Sequence, residues 1–419
     1  MNINIIGNGR IALALVKEIV NGTNSKKINC ITIYSRKCTG IKDGKYCRWI
    51  DPTFEHILNI YLEEKELPVC IYFRYFDSLS QVALLCKNSK KEDLLILAIK
   101  YDMNELKFVD KQCQEKFNLQ KEEHVKLLSF RLHYFDADTT QYEDEKGIVD
   151  KNKLKIRVKK LERQAIYLEE TIKRMDKQTS VGYERLYNLR NSAIGILNLG
   201  NVIKHFKGMI FNMINEIDIT NWILIKVVGI SAESLLSPCE NDSLRAKYFL
   251  RNKLQEFGIE AKSLSLVYIG PHNHNGFVPL ESVYLDGIPF KKCVEEFPNL
   301  DCRDFLRSVI EEINSFGEKV FIKKGSSDED TVLCLGKAVN QYISQEETYF
   351  RASIYLKELD CCTGLPIICK GNKIHIKNAI FDELSKETQE RFFITIREQK
   401  LICYGLLDCI TKIREEEYE

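Results

Sequence analysis

The segment Gly7-Asn8-Gly9-Arg10-Ile11-Ala12 constrains the fold more than any other stretch of this chain. It follows the apolar run Ile3–Ile6 and opens Ile11–Val20, whose apolar residues recur at helical spacing. Cys30–Tyr34 then reads as a second strand rich in β-branched residues. Strand, glycine turn, helix and strand make a βαβ unit, with parallel strands and a right-handed crossover. In that setting the spacing is a dinucleotide-binding fingerprint. Gly7 permits the tight turn, Gly9 lets a pyrophosphate approach the backbone, and Ala12 is small enough for the helix to pack on the strand. The backbone around Asn8, Arg10 and Ile11 then presents N–H groups to the phosphates.

The alternation continues. Strands are predicted at Val69–Phe73, Leu94–Ile99 and Met209–Ile214, with helices near Leu79–Cys86 and Tyr187–Lys204. This is the pattern of an α/β chain with a doubly wound parallel sheet of the Rossmann type. Beyond about residue 220 the reading is α+β. Ser231–Phe257, Phe305–Phe316 and Thr331–Ile343 look helical, and Leu264–Ile269 and Ile367–Ile376 look like strands. A chain of 419 residues calls for more than one domain. The expected division is a dinucleotide-binding domain over 1–220 and a substrate domain over 221–419.

Between about residues 103 and 182 the alternation breaks, and a helical insertion is expected. Leu154, Val158, Leu161, Ala165, Leu168, Ile172 and Met175 form an unbroken heptad series, with Lys151, Lys153, Lys155, Arg157, Lys159, Lys160 and Arg163 at the other positions. That seam must be buried. Either it packs on its own domain, or residues 152–177 form a coiled-coil contact with a second subunit or partner. The basic face reads as solvated, and a net charge of +1 gives no pull toward nucleic acid or membrane. No apolar run approaches the ~20 residues that span a bilayer. Fifteen scattered cysteines without a CxxC pair read as thiols in a reducing, cytoplasmic setting.

The second strand of a dinucleotide-binding unit ordinarily ends in an acid that holds the ribose hydroxyls. Here it ends Tyr34-Ser35-Arg36-Lys37. Ser35, Arg36 and Lys37 would hold a 2′-phosphate by charge-assisted hydrogen bonds, which leans toward NADP over NAD. The alternative is a surface loop whose grip on a cofactor has decayed.

Two later segments carry the chemistry. Asp242 and Arg245, in Asn241-Asp242-Ser243-Leu244-Arg245, lie three apart on a predicted helix and so share a face. An apolar strand then ends in Gly270-Pro271-His272-Asn273-His274-Asn275, followed by Val278-Pro279-Leu280-Glu281-Ser282. An imidazole suits proton transfer near neutral pH, a carboxylate can orient it, and a guanidinium fork binds a carboxylate in bidentate fashion. The plainer alternatives are a helix ion pair for Asp242 and Arg245, and a turn or metal role for His272 with His274.

These motifs resemble the lactate/malate dehydrogenase family, at Asp242, Ser243, Arg245, Gly270, His272, Val278, Pro279 and Ser282. Asn215-Glu216-Ile217-Asp218-Ile219-Thr220 is similar to that family's turn after the fifth strand, and Asp286-Gly287-Ile288-Pro289 to a later loop. The resemblance implies hydride transfer between a nicotinamide cofactor and a 2-hydroxy or 2-oxo acid. His272 would move the proton, Asp242 would hold its ring, and Arg245 would bind the substrate carboxylate. Asn215 would bond the reacting oxygen or the nicotinamide side. It also implies a homo-oligomer, a dimer or tetramer. The chain departs where the family has a short mobile loop with a closing arginine. The insertion stands there, leaving Arg185 as the candidate and Arg190 as the runner-up. Asp328-Glu329-Asp330 falls on the substrate wall, where carboxylates oppose an anionic substrate. Three readings follow: a dehydrogenase, a nucleotide-binding or partner-recruiting protein on the same fold, and a self-assembling structural protein.

Overall fold

β1 (Asn2–Ile6), α1 (Arg10–Asn21) and β2 (Cys30–Arg36) form the βαβ unit that the glycine turn requires, with β1 and β2 parallel. Gly7 has φ 124°, and a Cβ on it would stand 2.4 Å from the Ala98 carbonyl oxygen, so only glycine fits. This computed structural model describes residues 1–7, 10–22, 24–36, 38–42, 45–49, 69–76, 80–99, 149–180, 183–273, 275–293, 304–312, 328–371, 373–376 and 383–418, with isolated positions between. Asn8, Gly9, Lys37 and His274 lie outside the described residues, as does most of the stretch from 103 to 148.

An antiparallel ribbon, β3 (Cys38–Lys42) and β4 (Lys45–Trp49), follows β2 directly. The parallel series resumes with β5 (Cys70–Phe76), α2 (Ser80–Asn88) and β6 (Leu94–Leu97). After α3 (Lys151–Asp176) and α4 (Tyr183–Ile203) come β7 (Met209–Asn212), α5 (Ile217–Ile223) and β8 (Leu235–Pro238). In space these strands run β5-β2-β1-β6-β7-β8, an order of the doubly wound class expected from the sequence. The chain direction of winding reverses between β1 and β6. Gly7 follows the carboxyl end of β1 at this switch point, the place where doubly wound sheets bind ligands.

The parallel series runs on past residue 220, because β8 pairs with β7. The stretch from Ser231 therefore is not helical throughout. Leu235-Leu236-Ser237-Pro238 is a short run buried on both faces, which periodicity cannot tell from the start of a helix. The helix proper is α6 (Asn241–Glu256).

The later part holds β9 (Leu264–Ser265), β10 (Tyr284–Leu285) and β11 (Ile288–Pro289) as a small antiparallel sheet. Residues 304–312 are helical, followed by α7 (Asp328–Ser344), β12 (Thr348–Leu356), β13 (Cys361–Lys370), β14 (Lys373–Ile376) and α8 (Lys386–Tyr418). The single strand expected over Ile367–Ile376 is instead two strands folded back at Gly371, which has φ 55°. β12 pairs antiparallel with β8, so β12, β13 and β14 extend the parallel series into one nine-stranded sheet.

Alternate residues of the central strands feed two apolar clusters. Ile3, Ile5, Leu94 and Ile96 pack with α1 and α7, while Ile6, Leu95 and Leu97 pack with α2 and α4. The heptad seam belongs to the second cluster. Leu154, Leu161, Ala165, Leu168, Ile172 and Met175 are buried against α4 and α8 of the same chain, and Val158 is half-buried. Arg157, Gln164 and Thr171 are buried as well, widening the stripe beyond a two-helix seam. A helix wedged between two neighbours needs that width. The coiled-coil contact with a partner through 152–177 is thus corrected: the chain fills the seam itself. Asp150 caps the start of α3, accepting hydrogen bonds from the N–H groups of Asn152 and Lys153. Among the described residues no helix is long and apolar enough to cross a membrane.

Candidate active site

The β12–β13 hairpin holds both halves of the site. On one side, the Cys239 N–H donates to the Arg351 carbonyl at 3.0 Å, and the Arg351 N–H donates to Glu240 Oε2 at 2.8 Å. That fixes the chain between β8 and α6. On the other side, Gly270 and Gly364 exchange backbone hydrogen bonds of 3.0 Å, which fixes the loop that carries His272. Asp242 sits in the first turn of α6, where a carboxylate also suits the positive end of the helix dipole.

His272 Nδ1 lies 2.8 Å from Asp242 Oδ2. The same oxygen accepts from Arg351 Nη1 at 2.6 Å. Arg351 is 1% exposed, and its remaining contacts are to the Cys239 carbonyl and thiol through Nη1 and to the Gly270 carbonyl through Nη2. Its guanidinium carbon stands 4.8 Å over the Tyr268 ring. Burial opposes ionisation of Asp242, but the nearby charges of His272 and Arg351 overcome it and hold the carboxyl well below the usual carboxylate range. Burial likewise disfavours the charge on Arg351, and Cys239 and Asp242 hold it even above the usual guanidinium range.

A second carboxylate stands behind the histidine. Asp218 Oδ2 accepts from the His272 backbone N–H at 2.6 Å. Burial pushes Asp218 up to about 6, against hydrogen bonds from Ser353 and His272 that pull it down. Asp218 belongs to the turn after β7, where the Asn215–Glu216 peptide is cis and Thr220 Oγ1 donates to the Ile214 carbonyl at 2.7 Å. Asn215 itself is exposed, three residues before Asp218.

Of the residues singled out in the sequence, Asp242 and His272 come together directly. Arg245 does not pair with Asp242. Its Nε and Nη2 both meet Asp330 Oδ2 of α7 at 2.5 Å. The acidic stretch read as part of the substrate wall thus reaches the guanidinium fork. Arg185 lies in the first turn of α4, with its side chain outside the described part. Arg190 is buried in the body of α4, 3.6 Å from Glu169 of α3, which removes it as a closing arginine. Gly7, Arg10 and Ile11 lie at the turn after β1 and the start of α1, and Ser35 and Arg36 end β2. Among the described residues no group of His, Cys, Asp and Glu is placed to hold a metal ion.

Sequence reasoning missed Arg351 and Asp218. The signal for Arg351 was present, since it is the one charge in Tyr349-Phe350-Arg351-Ala352-Ser353-Ile354-Tyr355-Leu356. A charge inside an apolar strand pattern must find a counter-charge. Asp218 stood inside the turn Asn215–Thr220 without a role of its own, because an Asp near a helix start is common as a dipole partner.

No family model matches the chain. An L-lactate dehydrogenase from Corynebacterium efficiens is 23% identical over 192 residues, which is 45% of this chain and 58% of that protein. The match therefore spans little more than half of that relative's length. Solved structures are similar over nearly the whole chain. Malate dehydrogenase from Plasmodium falciparum has a TM-score of 0.62 at 13% identity, covering 98% of this chain and 99% of its own. Lactate dehydrogenase from Eimeria maxima, solved with NADH and oxamate, has a TM-score of 0.61 at 11% identity, covering 100% and 96%. The fold of this chain is the one those proteins share.

Proposed function

We propose, from the premise that this chain is a divergent member of the lactate/malate dehydrogenase family, that it is a nicotinamide-dependent oxidoreductase of 2-hydroxy and 2-oxo acids. The observation that carries this reading is the 2.8 Å contact between Asp242 and the His272 ring, with Arg245 one turn along the same helix.

A dinucleotide would lie at the switch point between β1 and β6. Gly7 leaves no room for a side chain against Ala98, and the N-terminus of α1 opens there. Gly7, Asn8, Gly9, Arg10 and Ile11 would hold the pyrophosphate. Ser35 and Arg36 would hold the adenosine ribose, and with Lys37 nearby they favour NADP over NAD. The bound nicotinamide supplies or accepts the hydride. With Nδ1 held by Asp242, His272 would exchange its proton through Nε2, giving it to the carbonyl oxygen on reduction and taking it from the hydroxyl on oxidation. Asp242 stabilises the imidazolium and fixes the ring. Arg245 would bind the substrate carboxylate through its planar fork, exchanging Asp330 for it. Arg185 would close over the substrate, and Asn215 would bond the reacting oxygen. The assembly expected of such a chain is a homo-oligomer, a dimer or tetramer.

The Arg245–Asp330 pair favours a second reading, a nucleotide-binding protein without turnover, because a carboxylate already fills the fork. Titration with NADH and NADPH by fluorescence, followed by a panel of 2-oxo acids, divides the two. Turnover that depends on His272 supports the dehydrogenase. Nucleotide binding that His272→Asn leaves unchanged, with no turnover on any acid, supports the second. Absence of nucleotide binding would sink the first.

A further inference from the structure

We propose that Arg351 is a positioning residue for the acid–base pair: it clamps the Asp242 carboxylate and offsets its charge, so that His272 is oriented without being locked as the imidazolium. This deepens the reading above and rests on it.

The geometry argues for more than a structural staple. One oxygen, Asp242 Oδ2, takes both Arg351 Nη1 at 2.6 Å and His272 Nδ1 at 2.8 Å. The guanidinium cannot lose its proton, so the carboxylate carries a permanent counter-ion on the very oxygen that the ring uses. In a bare Asp–His pair the whole carboxylate charge favours the imidazolium. Here much of that charge is already answered, and an imidazole that must give its proton up in reduction does so more readily. Nη2 meanwhile grips the Gly270 carbonyl, two residues before His272, so a single side chain fixes both partners.

A purely structural role does not call for arginine at this position. Apolar side chains of similar volume often replace a whole buried ion pair without loss of stability, so the fold alone does not require a charged pair here. Moreover, Arg351 Nε is buried with no hydrogen-bond partner among the described residues, so the contacts serve the carboxylate and the loop before they satisfy the guanidinium. The fold makes room for the group at Gly364, where a Cβ would stand 2.3 Å from Arg351 Nη2.

Several charged groups face His272. Asp242 faces it from α6 with Arg351 of β12 beside it, and Asp218 of α5 holds its backbone N–H. Arg245, paired with Asp330 of α7, acts on Asp242 from further along α6. Glu398 of α8 bonds Asn275, three residues on. Of these, Arg351 is the group that shares the Asp242 oxygen with the ring.

The test needs no substrate, so failure to find a turned-over acid leaves it intact. The full chain is labelled with carbon-13 and nitrogen-15 histidine, and one of the seven histidine signals is assigned to His272 by its loss in His272→Asn. The ring is titrated in the wild type, in Arg351→Gln and in Arg351→Lys. Arg351→Gln removes the charge, and the midpoint is expected to rise by about one pH unit, a tenfold gain in proton affinity. Arg351→Lys keeps the charge and is expected to stay much closer to wild type. A midpoint unmoved in the Gln variant, or moved equally in both, overturns the proposal. Should the Gln variant not fold, the charge-neutral double variant Arg351→Met with Asp242→Asn replaces it. If Arg351 offsets Asp242, the ring then titrates within about half a pH unit of wild type; a fall of a full unit, as expected where Asp242 acts alone, overturns it.

Discussion

Arg245 turns two nitrogens, Nε and Nη2, onto a single oxygen of Asp330, each at 2.5 Å. A guanidinium fork is shaped for a carboxylate, and α7 supplies one from within the chain. A substrate carboxylate must therefore compete with Asp330 for the same donors. Asp330→Asn weakens the competitor while keeping its size. The expected result is a KM for 2-oxo acids lowered by about tenfold, equivalent to ~1.4 kcal/mol, with kcat changed little. Steady-state rates followed through reduced nicotinamide absorbance measure it. An unchanged KM would mean that Arg245 does not read the substrate.

His272 is held from two sides, by Asp242 on its ring and Asp218 on its backbone. Asparagine at this position keeps a backbone donor for Asp218 but cannot carry a proton to the substrate. His272→Asn should lower kcat by about 10²–10⁴ while nucleotide affinity stays within a few-fold. Fluorescence titration alongside single-turnover rates separates the two effects. Equal loss of both would point to a collapsed loop instead.

The doubly wound class was legible because β1, α1 and β2 announce themselves at residue 7, whereas the strand order came from the structure. The heptad series was legible too, as a helix with a buried stripe. Its partners were not, since nothing local in 151–176 tells which helices will cover it. β8 was misread for the opposite reason: four residues buried on both faces have no period. Asp242 and His272 could be paired from sequence by resemblance, but Arg351 could not. It lies more than a hundred residues from Asp242, and only the pairing of β12 with β8 brings it there. Asp330 was noticed as a carboxylate on the substrate wall, yet its partner required the packing of α7 against α6.

Asp218 titrates at about 6 because it is buried, so the folded chain binds its proton more tightly than the unfolded chain does. Between about pH 4, where an unperturbed Asp titrates, and about pH 6, the native state holds the extra proton, and stability falls as pH rises through that window. Asp242 works in the other direction, since its lowered value contributes stability that is lost only as pH falls below the ordinary Asp range. It leaves the window untouched. Urea unfolding should therefore show Asp218→Asn gaining stability relative to wild type between pH 4 and pH 7, by roughly 2–3 kcal/mol. A constant difference across that range would contradict the assignment.

The fate of α3 separates packing from assembly. Leu168 is fully buried between α3 and its neighbours, whereas Ile156, on the same helix, is 66% exposed. If the seam serves the chain's own core, Leu168→Ala leaves a cavity and costs about 2–5 kcal/mol, whatever the protein concentration. Ile156→Ser should change stability by less than about 0.5 kcal/mol, as surface substitutions generally do. If the seam joined two subunits, the Leu168 variant would instead lower the oligomeric state and make unfolding depend on concentration. Sizing with light scattering at two concentrations, beside thermal unfolding of both variants, decides it. The burial of Leu168 against α4 and α8 of the same chain predicts an unchanged particle mass with a lowered Tm.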